Sequence, residues 1–239
     1  MVLEKIYDNV TWIELAYGVD AIVPIGLGAA LLVAVVSYFL GCFNGAVIVS
    51  KYILHDDVRN HGSGNAGLTN FHRTFGSKLA FIVLLCDALK AVLAVLFGVW
   101  ILGNVVGHGA EHLINIGKLW SGLFCLIGHS FPCMFQFRGG KGVLSGGIIA
   151  FMMDWRIGLI AWGGFIILVV LTRWVSLGSI WGGACFPFAV GFFYQDILLT
   201  VFAVLCGGLL VVKHHANIKR ILKGTESKFS FHRKKEAEQ

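Results

Sequence analysis

The chain has 239 residues, of which 57% are hydrophobic and only 13% are charged, and its formal net charge is +6. Soluble domains carry about 25% charged residues, so the composition excludes an ordinary soluble domain and places the chain among integral membrane proteins. The positive charge does not imply a nucleic acid partner, because cytoplasmic loops beside anionic lipid carry the same excess.

The first 20 residues predict a polar or interfacial leader. They hold four carboxylates, Glu4, Asp8, Glu14 and Asp20, against the single cation Lys5. A secretory signal peptide begins with a positively charged region, so this segment does not match one. We expect residues 1–20 to lie at the membrane surface, outside the membrane-spanning part of the chain.

Seven apolar segments follow the leader within residues 21–212, and they predict an all-α bundle of seven membrane-spanning helices. A helix crosses the hydrocarbon core with about 20 apolar residues, and fewer suffice where protein shields part of it. The fourth segment is the shortest. The predicted spans are residues 21–50, 79–102, 119–135, 143–153, 157–171, 175–194 and 197–212.

The loop charges predict the orientation of this bundle. With the N-terminus outside, fifteen of the nineteen Lys and Arg residues fall in cytoplasmic segments and three fall outside, with Lys90 inside a span. Cytoplasmic loops of membrane proteins carry such an excess of cations. The pattern therefore favours seven spans, N out and C in, and leaves residues 213–239 as a basic cytoplasmic segment.

Three polar stretches share the predicted cytoplasmic face, and the first is residues 61–77, HGSGNAGLTNFHRTFGS. Ser63, Asn65, Thr69 and Asn70 supply neutral hydrogen-bonding groups among glycines, and Arg73 follows at the expected start of a helix. Exposed backbone N–H groups, a helix N-terminus and an arginine together suit a phosphate. The alternative is an ordinary glycine-rich loop that carries cytoplasmic charges.

The second stretch is residues 128–142, GHSFPCMFQFRGGKG. Gly139, Gly140 and Gly142 around Lys141 can present consecutive N–H groups and one ammonium to an anion. No glycine stands five residues before Gly140 and no Ser or Thr follows Lys141, so the stretch is not a Walker P-loop. For His129, at the helix end before this loop, the sequence favours a structural role.

The third stretch is residues 213–226, KHHANIKRILKGTE. On a helix, His214 and Asn217 share a face, while Lys219 and Arg220 point elsewhere. A histidine placed in this way can engage a hydroxyl while the asparagine engages a phosphate. A basic juxtamembrane helix that touches lipid headgroups is the alternative.

Two smaller features lie at the spans themselves. Asp87 and Lys90 stand three residues apart inside the second span, so they can pair with each other and should face the bundle interior. Ser176 and Ser179 lie one turn apart after Arg173, where the sixth span starts, and they add two hydroxyl donors.

Several patterns are missing from the sequence. There is no Gly-x-Ser-x-Gly elbow, no histidine with an aspartate five residues later, and no HExxH or carboxylate cluster. A hydrolase, a CoA-dependent glycerolipid acyltransferase and a metal enzyme are therefore unsupported.

Six cysteines lie in or beside apolar segments without CxxC spacing, and we expect them to be buried small hydrophobes. They are Cys42, Cys86, Cys125, Cys133, Cys185 and Cys206.

Taken together, the polar stretches resemble the motifs of the bacterial acyl-phosphate:glycerol-3-phosphate acyltransferases, the PlsY family. SGNAGLTN with the downstream Arg73 is similar to SGNPGATN, HSFPCMFQFRGGKG to HxFPxFxxFxGGKG, and HHANIKRILKGTE to HRENIKRLxxGTE. TRWVSLGS also resembles the family between its second and third motifs. Order and spacing agree, while Ala66, Leu68 and His215 replace the family's usual Pro, Ala and Arg.

The resemblance implies a seven-span enzyme of the bacterial inner membrane, with a site facing the cytoplasm and with no cofactor or metal. The implied reaction moves an acyl group from acyl phosphate to the 1-hydroxyl of sn-glycerol 3-phosphate, giving 1-acyl-glycerol 3-phosphate and phosphate in the first acylation step of phospholipid synthesis. Its implied partners are the lipid bilayer, the two substrates and, transiently, the enzyme that makes acyl phosphate.

The resemblance also implies residue roles. The catalytic groups are His214, Ser63 and Lys141. Glycerol 3-phosphate is held by Ser63, Arg73, Lys141, His214 and Asn217. Acyl phosphate is held by Gly139, Gly140, Gly142 and Ser179. Structural support comes from Asn65, Asn70 and Glu226. Spacing to Asn217 favours His214 over the adjacent His215.

Two other functions compete with the enzyme. A carrier or channel for a phosphate-bearing anion would use the same basic loops, but the chain lacks the internal repeats of many transporters. A membrane scaffold with a lipid-binding tail would leave the serine and asparagine pattern without a role. Acyl phosphate is already activated, so an enzyme using it needs orientation and charge neutralisation, and we expect direct transfer without an acyl-enzyme.

Overall fold

The computed structural model describes residues 19–229, and all regular structure in that range is helical. The predicted leader therefore lies almost entirely outside the described residues. Two π-helical segments, Val49–Ile53 and Val99–Val106, each continue the α-helix before them, and two short 3₁₀ helices, Val58–Asn60 and Cys133–Phe135, lie in loops. The α-helices are α1 (Val19–Cys42), α2 (Gly45–Ile48), α3 (Leu68–Phe75), α4 (Ser77–Gly98), α5 (Glu111–Ser130), α6 (Val143–Met153), α7 (Trp155–Thr172), α8 (Val175–Tyr194), α9 (Ile197–Lys213) and α10 (His215–Leu222).

Four helical segments of the described chain are long and apolar enough to cross a membrane. They are Gly26–Ile53, Ser77–Val106, Trp155–Thr172 and Val175–Tyr194. The pair α9 and α10, bent by 56°, adds a fifth if it counts as one span, and α6 is a shorter apolar helix. The outer faces are apolar as lipid requires, with Val170 71%, Leu171 75% and Phe188 80% exposed.

The first predicted span, 21–50, is broken rather than continuous. The chain leaves α1 at Cys42 and re-enters a helix at Gly45, with Asn44 as the cap between them. The Asn44 side chain accepts a hydrogen bond from the Val47 N–H at 3.1 Å and donates to the Ala66 carbonyl at 3.0 Å. The break therefore satisfies its own backbone groups and anchors the first polar stretch.

The third span is displaced from its prediction of 119–135. Helix α5 begins eight positions earlier, at Glu111, and ends at Ser130. Its polar first turns are helical because they pack on the extension of α4, where a Cβ on Gly117 would come within 2.6 Å of the Gly98 carbonyl oxygen. Its early end follows from Pro132, which disfavours a helical conformation at Phe131.

The remaining helices agree closely with the predicted segments. Helices α6 and α8 have the predicted bounds, and α7 and α9 differ from them by one or two residues at an end.

Inside the first polar stretch, however, Arg73 lies in the last turn of α3, so its expected place at the start of a helix was wrong. Helix α3 begins at Leu68, and the extended residue Gly67 is its N-cap.

The helices pack closely through glycine. A Cβ on Gly41 would overlap the Cys125 carbonyl, one on Gly128 would overlap the Tyr38 carbonyl, and one on Gly207 would overlap the Gly183 carbonyl. Small residues allow such backbone approach in lipid, where packing rather than hydrophobicity drives helix association. These contacts join α1 to α5 and α8 to α9.

The cysteines differ in part from the expectation. Cys42, Cys125 and Cys206 are buried, and Cys86 and Cys185 are half-buried, but Cys133 is exposed. Cys133 follows Pro132 in a surface turn, whereas the predicted third span would have enclosed it.

Candidate active site

A cleft of about 730 Å³ opens where the three polar stretches meet. Ten of the twelve site residues that the resemblance implies line it, and they come from α3, α8 and α10 and from non-helical segments of the chain. They are Ser63, Asn65, Asn70, Arg73, Lys141, Gly142, Ser179, His214, Asn217 and Glu226. Gly139 and Gly140 are not among the lining residues.

The loop before α3 is shaped by Asn70. Its side-chain oxygen accepts from the Ser63 N–H at 3.0 Å, and its amide donates to the carbonyls of Val58 and His61, each at 3.0 Å. Gly62 has φ +55°, a left-handed conformation that glycine adopts without strain. Asn70 therefore closes the loop, so that Ser63 stands at the cleft wall.

The N-terminus of α3 faces the cleft. Gly67, Leu68 and Thr69 line it. The cap residue is Gly67, which has no side chain to accept a hydrogen bond from the first N–H groups of the helix. The first N–H groups of a helix have no intrahelical acceptor and carry partial positive charge. Arg73, one turn further along α3, adds an exposed guanidinium at the same wall.

A clamp that the sequence did not predict joins the turn just before the first polar stretch to the second stretch. Arg59 donates to both carboxylate oxygens of Asp57 through Nε and one terminal nitrogen, and its other terminal nitrogen donates to the Phe135 carbonyl at 2.8 Å. A hydrogen bond from Arg59 lowers the pKa of the Asp57 carboxyl below its usual range. The only signal in the sequence was a charged pair two residues apart.

The Gly140 N–H is not free to bind an anion as expected. The Gly140 N–H donates to the His129 carbonyl at 3.1 Å, so it is already used. A Cβ on Gly139 would overlap that carbonyl, and one on Gly140 would overlap both the His129 ring and the Ala66 carbonyl. These glycines allow the loop to pack tightly over His129, which is a different use from the predicted one.

The next two residues of this loop do reach the cleft. Gly142, with φ +77°, caps α6, and Gly142, Val143, Leu144 and Ser145 line the cleft at the N-terminus of that helix. Two helix N-termini, those of α3 and α6, therefore point into one cavity. Such an arrangement attracts anions.

Lys141 lies against the third stretch, and its ammonium donates to the side-chain oxygen of Asn217. Burial, with repulsion from Arg220 as the next cause, lowers the pKa of Lys141 to about 8. The ammonium is charged at neutral pH but poorly hydrated. Its electrostatic attraction for a neighbouring anion is therefore stronger than that of a lysine in water.

His214 occupies the turn between α9 and α10 and is only 2% exposed. Its Nδ1 lies 2.8 Å from the Leu210 carbonyl oxygen. A carbonyl can only accept, so Nδ1 carries the proton and Nε2 keeps a lone pair. Burial lowers the pKa of His214 to about 4, so the ring is neutral at physiological pH. The adjacent His215 is exposed and does not line the cleft.

Glu226 ties the third stretch together. One of its oxygens accepts from Ser176 and Asn217, each at 2.7 Å, and the other accepts from Arg220 at 2.7 Å. Burial raises the pKa of Glu226, but hydrogen bonds from these three partners outweigh it and leave the pKa below the usual range. The expectation that Arg220 points elsewhere was wrong, because Glu226 turns its guanidinium to the cleft.

The charges that line the cleft favour an anion. Arg73, Lys141 and Arg220 are cations, and Glu226 is engaged by Arg220. Asp87 also lines the cleft, and the predicted pair with Lys90 is confirmed, with 2.8 Å between Asp87 Oδ1 and Lys90 Nζ. Both side chains are only 4% exposed and face the bundle interior.

A narrow apolar crevice of about 40 Å³ continues from the cleft between α6, α7, α8 and α9. Val143, Trp162, Phe165 and Ser179 line both cavities. Ser179 donates its hydroxyl proton to the Val175 carbonyl at 2.8 Å, so its oxygen is held at the junction. A polar cavity that opens onto an apolar crevice suits an amphiphilic ligand.

Comparison with known proteins agrees with this chemistry. A family described as glycerol-3-phosphate acyltransferase matches residues 31–224. The glycerol-3-phosphate acyltransferase of Thermoanaerobacter sp. (strain X514) is 39% identical over 199 residues, which cover 83% of this chain and 95% of the relative. That of Clostridioides difficile (strain 630) is 37% identical over 202 residues, covering 83% and 94%.

Two crystal structures of PlsY (YgiH), an integral membrane glycerol 3-phosphate acyltransferase, resemble this fold. The glycerol 3-phosphate form has a TM-score of 0.73 at 28% identity, with 84% of this chain and 96% of that chain covered. The lysophosphatidic acid form has a TM-score of 0.70 at 27% identity, covering 84% and 95%. The motif resemblance is thereby confirmed, and the chain belongs to the glycerol-3-phosphate acyltransferase family of integral membrane proteins.

Proposed function

We propose that this protein transfers a fatty acyl group from acyl phosphate to the 1-hydroxyl of sn-glycerol 3-phosphate, as the first acylation step of phospholipid synthesis. The observation that carries the proposal is one cleft into which two helix N-termini and three cations point, with the neutral His214 buried beside them. Both substrates bear phosphates, and this cavity suits phosphates. Family membership favours the enzyme over the carrier and the scaffold.

Glycerol 3-phosphate is assigned to the side of the cleft formed by α3 and α10. Arg73 and Lys141 neutralise its phosphate, while Ser63 and Asn217 add neutral hydrogen bonds. The contact between Lys141 and Asn217 supports their acting on one ligand. Asn65, Asn70 and Glu226 support the walls rather than the ligand, as the contacts of Asn70 and Glu226 indicate.

Acyl phosphate is assigned to the N-terminus of α6 and to Ser179. Gly142 and the first N–H groups of α6 replace Gly139 and Gly140 as the backbone donors to its phosphate, because neither of those two glycines lines the cleft and the Gly140 N–H is already engaged. The acyl chain then enters the crevice between α6 and α9 and continues into lipid. Ser179, at the junction of cleft and crevice, marks where the head group meets the chain.

The chemistry is a single displacement at the acyl carbon. His214 Nε2 accepts a hydrogen bond from the 1-hydroxyl and orients its oxygen, which forms the new ester bond. The bond from the acyl carbon to the bridging oxygen breaks, and phosphate leaves with that electron pair. A phosphate oxygen takes the hydroxyl proton, so no acyl-enzyme forms. The cations and helix N-termini stabilise the leaving phosphate.

We also assign the chain a topology of seven spans, with the N-terminus outside and the cleft and C-terminus facing the cytoplasm. The helices α1, α4, α5, α6, α7, α8 and α9 correspond to the seven predicted segments. The surplus of Lys and Arg on one face supports this orientation in a bacterial inner membrane. A cytoplasmic cleft would also allow transient contact with the enzyme that makes acyl phosphate.

The identity of the acyl donor distinguishes this proposal from another acyltransferase class and from a carrier. Purified protein is supplied with glycerol 3-phosphate and either palmitoyl phosphate or palmitoyl-CoA, and lysophosphatidate is measured. We expect product with palmitoyl phosphate alone. Product only with palmitoyl-CoA would place the enzyme in another acyltransferase class, and transport of glycerol 3-phosphate into vesicles without any product would favour a carrier.

A further inference from the structure

The ammonium of Lys90 lies in a cage of acceptors beneath the cleft. It donates to the carbonyls of Gly41 at 3.2 Å and Phe43 at 3.0 Å, where α1 breaks, and it pairs with Asp87 at 2.8 Å. The remaining contact is with His129 Nδ1, 2.7 Å away. Lys90 and His129 are 4% and 3% exposed.

This cage fixes which nitrogen of His129 carries the proton. A lysine ammonium has hydrogens to donate and no lone pair to accept with. The ammonium shares three hydrogens among four neighbours, and a protonated Nδ1 only 2.7 Å from it would set two N–H groups against each other. His129 Nδ1 is therefore an acceptor, so the imidazole proton resides on Nε2. Asp87 Oδ1, 3.7 Å from Nδ1, is already paired with the ammonium.

The protonated Nε2 lies against the glycine loop at the edge of the cleft. His129 lines the cleft, and a Cβ placed on Gly140 would overlap Nε2. Within residues 19–229, Nε2 has no hydrogen-bond partner, whereas Nδ1 is engaged. An N–H group at the wall of an anion-binding cleft, with no acceptor in the described part of the protein, is free to donate to a bound ligand.

We propose that His129 is a binding residue whose Nε2–H donates to the phosphate of the acyl donor, and that Lys90 is a positioning residue that fixes His129 in the donating tautomer. The inference rests on the proposed function for the identity of the ligand. It gives the two buried histidines opposite roles, because His214 Nε2 accepts and His129 Nε2 donates. It also explains why the glycine loop packs over His129, since a side chain at Gly140 would cover the N–H.

Nitrogen-15 NMR of histidine-labelled protein in detergent tests the tautomer directly. The H129Q variant assigns the His129 signals by their disappearance. We expect wild-type His129 to show a protonated Nε2 and an unprotonated Nδ1. The D87N/K90M double variant removes both buried charges together, so it leaves no unpaired charge, and it should give a mixture of tautomers. Protonation of Nδ1 in the wild type would overturn the proposal.

The ligand is tested by adding inorganic phosphate to wild-type protein saturated with glycerol 3-phosphate. We expect the Nε2–H signal to shift as phosphate fills the donor site. A shift with glycerol 3-phosphate but none with added phosphate would overturn the assignment to the acyl donor. If H129Q fails to fold, a crystal structure with phosphate decides, and Nε2 beyond hydrogen-bond distance of every phosphate oxygen would overturn the proposal.

Steady-state kinetics of His129 variants test the proposal in a second way. Replacing His129 by leucine should raise KM for acyl phosphate by about tenfold to a hundredfold, the loss expected for a hydrogen bond to a charged group, while KM for glycerol 3-phosphate stays near wild type. H129Q, which keeps an N–H donor, should recover much of the loss. Equal rises in both KM values would contradict the proposal. Absence of wild-type turnover with acyl phosphate would defeat the proposed function but leave the NMR result standing.

Discussion

At the scale of the residue, the placement of protons on buried side chains decides what the cleft can do. His214 donates through Nδ1 to the Leu210 carbonyl, which leaves a lone pair facing the cleft. Its neighbour His215 also contacts a carbonyl, that of Val212 at 3.0 Å, but it is exposed and outside the cleft. One position along the chain therefore separates a buried hydrogen-bond acceptor from a surface histidine.

The two histidines make a matched pair for mutation. His214→Ala should lower kcat by about 10²- to 10⁴-fold, the usual contribution of a positioned acid or base. His215→Ala should leave kcat close to wild type, because its side chain does not reach the cleft. Phosphate release under saturating substrates measures both, and circular dichroism checks that each variant folds. Equal losses would contradict the assignment of His214.

The charge of Lys141 should limit activity at alkaline pH. Its pKa is lowered to about 8, chiefly by burial, so the ammonium is charged below that pH and neutral above it. KM for glycerol 3-phosphate should therefore rise as the pH passes about 8. Lys141→Arg keeps its charge to much higher pH, so its KM should lack this rise. An identical alkaline limb in both proteins would exclude Lys141 as its source.

The sequence predicted which polar residues would meet, but not how each is used. Ser63, Arg73, Lys141, His214 and Asn217 share one cleft because the polar residues cluster at the same face of the bundle. The N–H of Gly140 was predicted to bind an anion, but it donates to the His129 carbonyl. The loop reaches this contact because Gly140 packs against His129 and Ala66, which are not its neighbours in the sequence. Local spacing carries no information about such approaches.

At the scale of the element, Glu226 fixes α10 against α8. Glu226→Gln should lower the thermal unfolding temperature and raise KM for glycerol 3-phosphate, because an amide cannot serve both the Arg220 donor and the two donors on its other oxygen. Glu226→Asp, with a shorter reach, is a charge-preserving comparison. Wild-type KM and unfolding temperature in E226Q would show that the network is dispensable.

The same network gives a pH dependence of stability. The pKa of Glu226 is lower in the folded protein than in the unfolded chain. Its stabilisation is therefore complete above the unfolded-state pKa and is lost as the pH falls through the folded-state pKa. The difference in unfolding temperature between wild type and E226Q should shrink as the pH is lowered into that range. A difference that grows on acidification would contradict this sign.

Helix packing can be tested at a single glycine. Gly98→Ala would place a methyl group on the Gly117 carbonyl, and such overpacking costs about 1–3 kcal/mol. Gly163→Ala is the control, since a Cβ there meets nothing within 4 Å. We expect a clear fall in unfolding temperature for G98A alone. Equal effects would mean that the close approach of α4 and α5 adds little to stability.

Helix bounds were predictable where hydropathy changes sharply and not where packing decides. Helices α6 and α8 lie between polar residues that end their apolar runs, so their bounds matched the prediction. The first turns of α5 are polar and helical because α4 lies against them, and the break at Asn44 is stabilised by a contact with Ala66. Neither partner is near in sequence, so neither feature was visible in a hydropathy pattern.

At the scale of the whole molecule, the proposed orientation places the cleft and the C-terminus in the cytoplasm. A fluorescent protein fused to the C-terminus folds only on the cytoplasmic side, whereas alkaline phosphatase is active only outside. We expect the fluorescent fusion to be bright and the phosphatase fusion inactive. The reverse result would mean that the bundle has the opposite orientation and that the cleft does not face a cytoplasmic supply of substrate.

The central claim is that both substrates occupy the one cleft and that the acyl group passes directly between them. Rapid quenching of enzyme mixed with acyl phosphate, with and without glycerol 3-phosphate, tests it most directly. We predict no phosphate release without glycerol 3-phosphate, and one lysophosphatidate per phosphate with it, on a protein of unchanged mass. A burst of phosphate equal to the enzyme concentration, with an acylated chain and no acceptor present, would contradict the account.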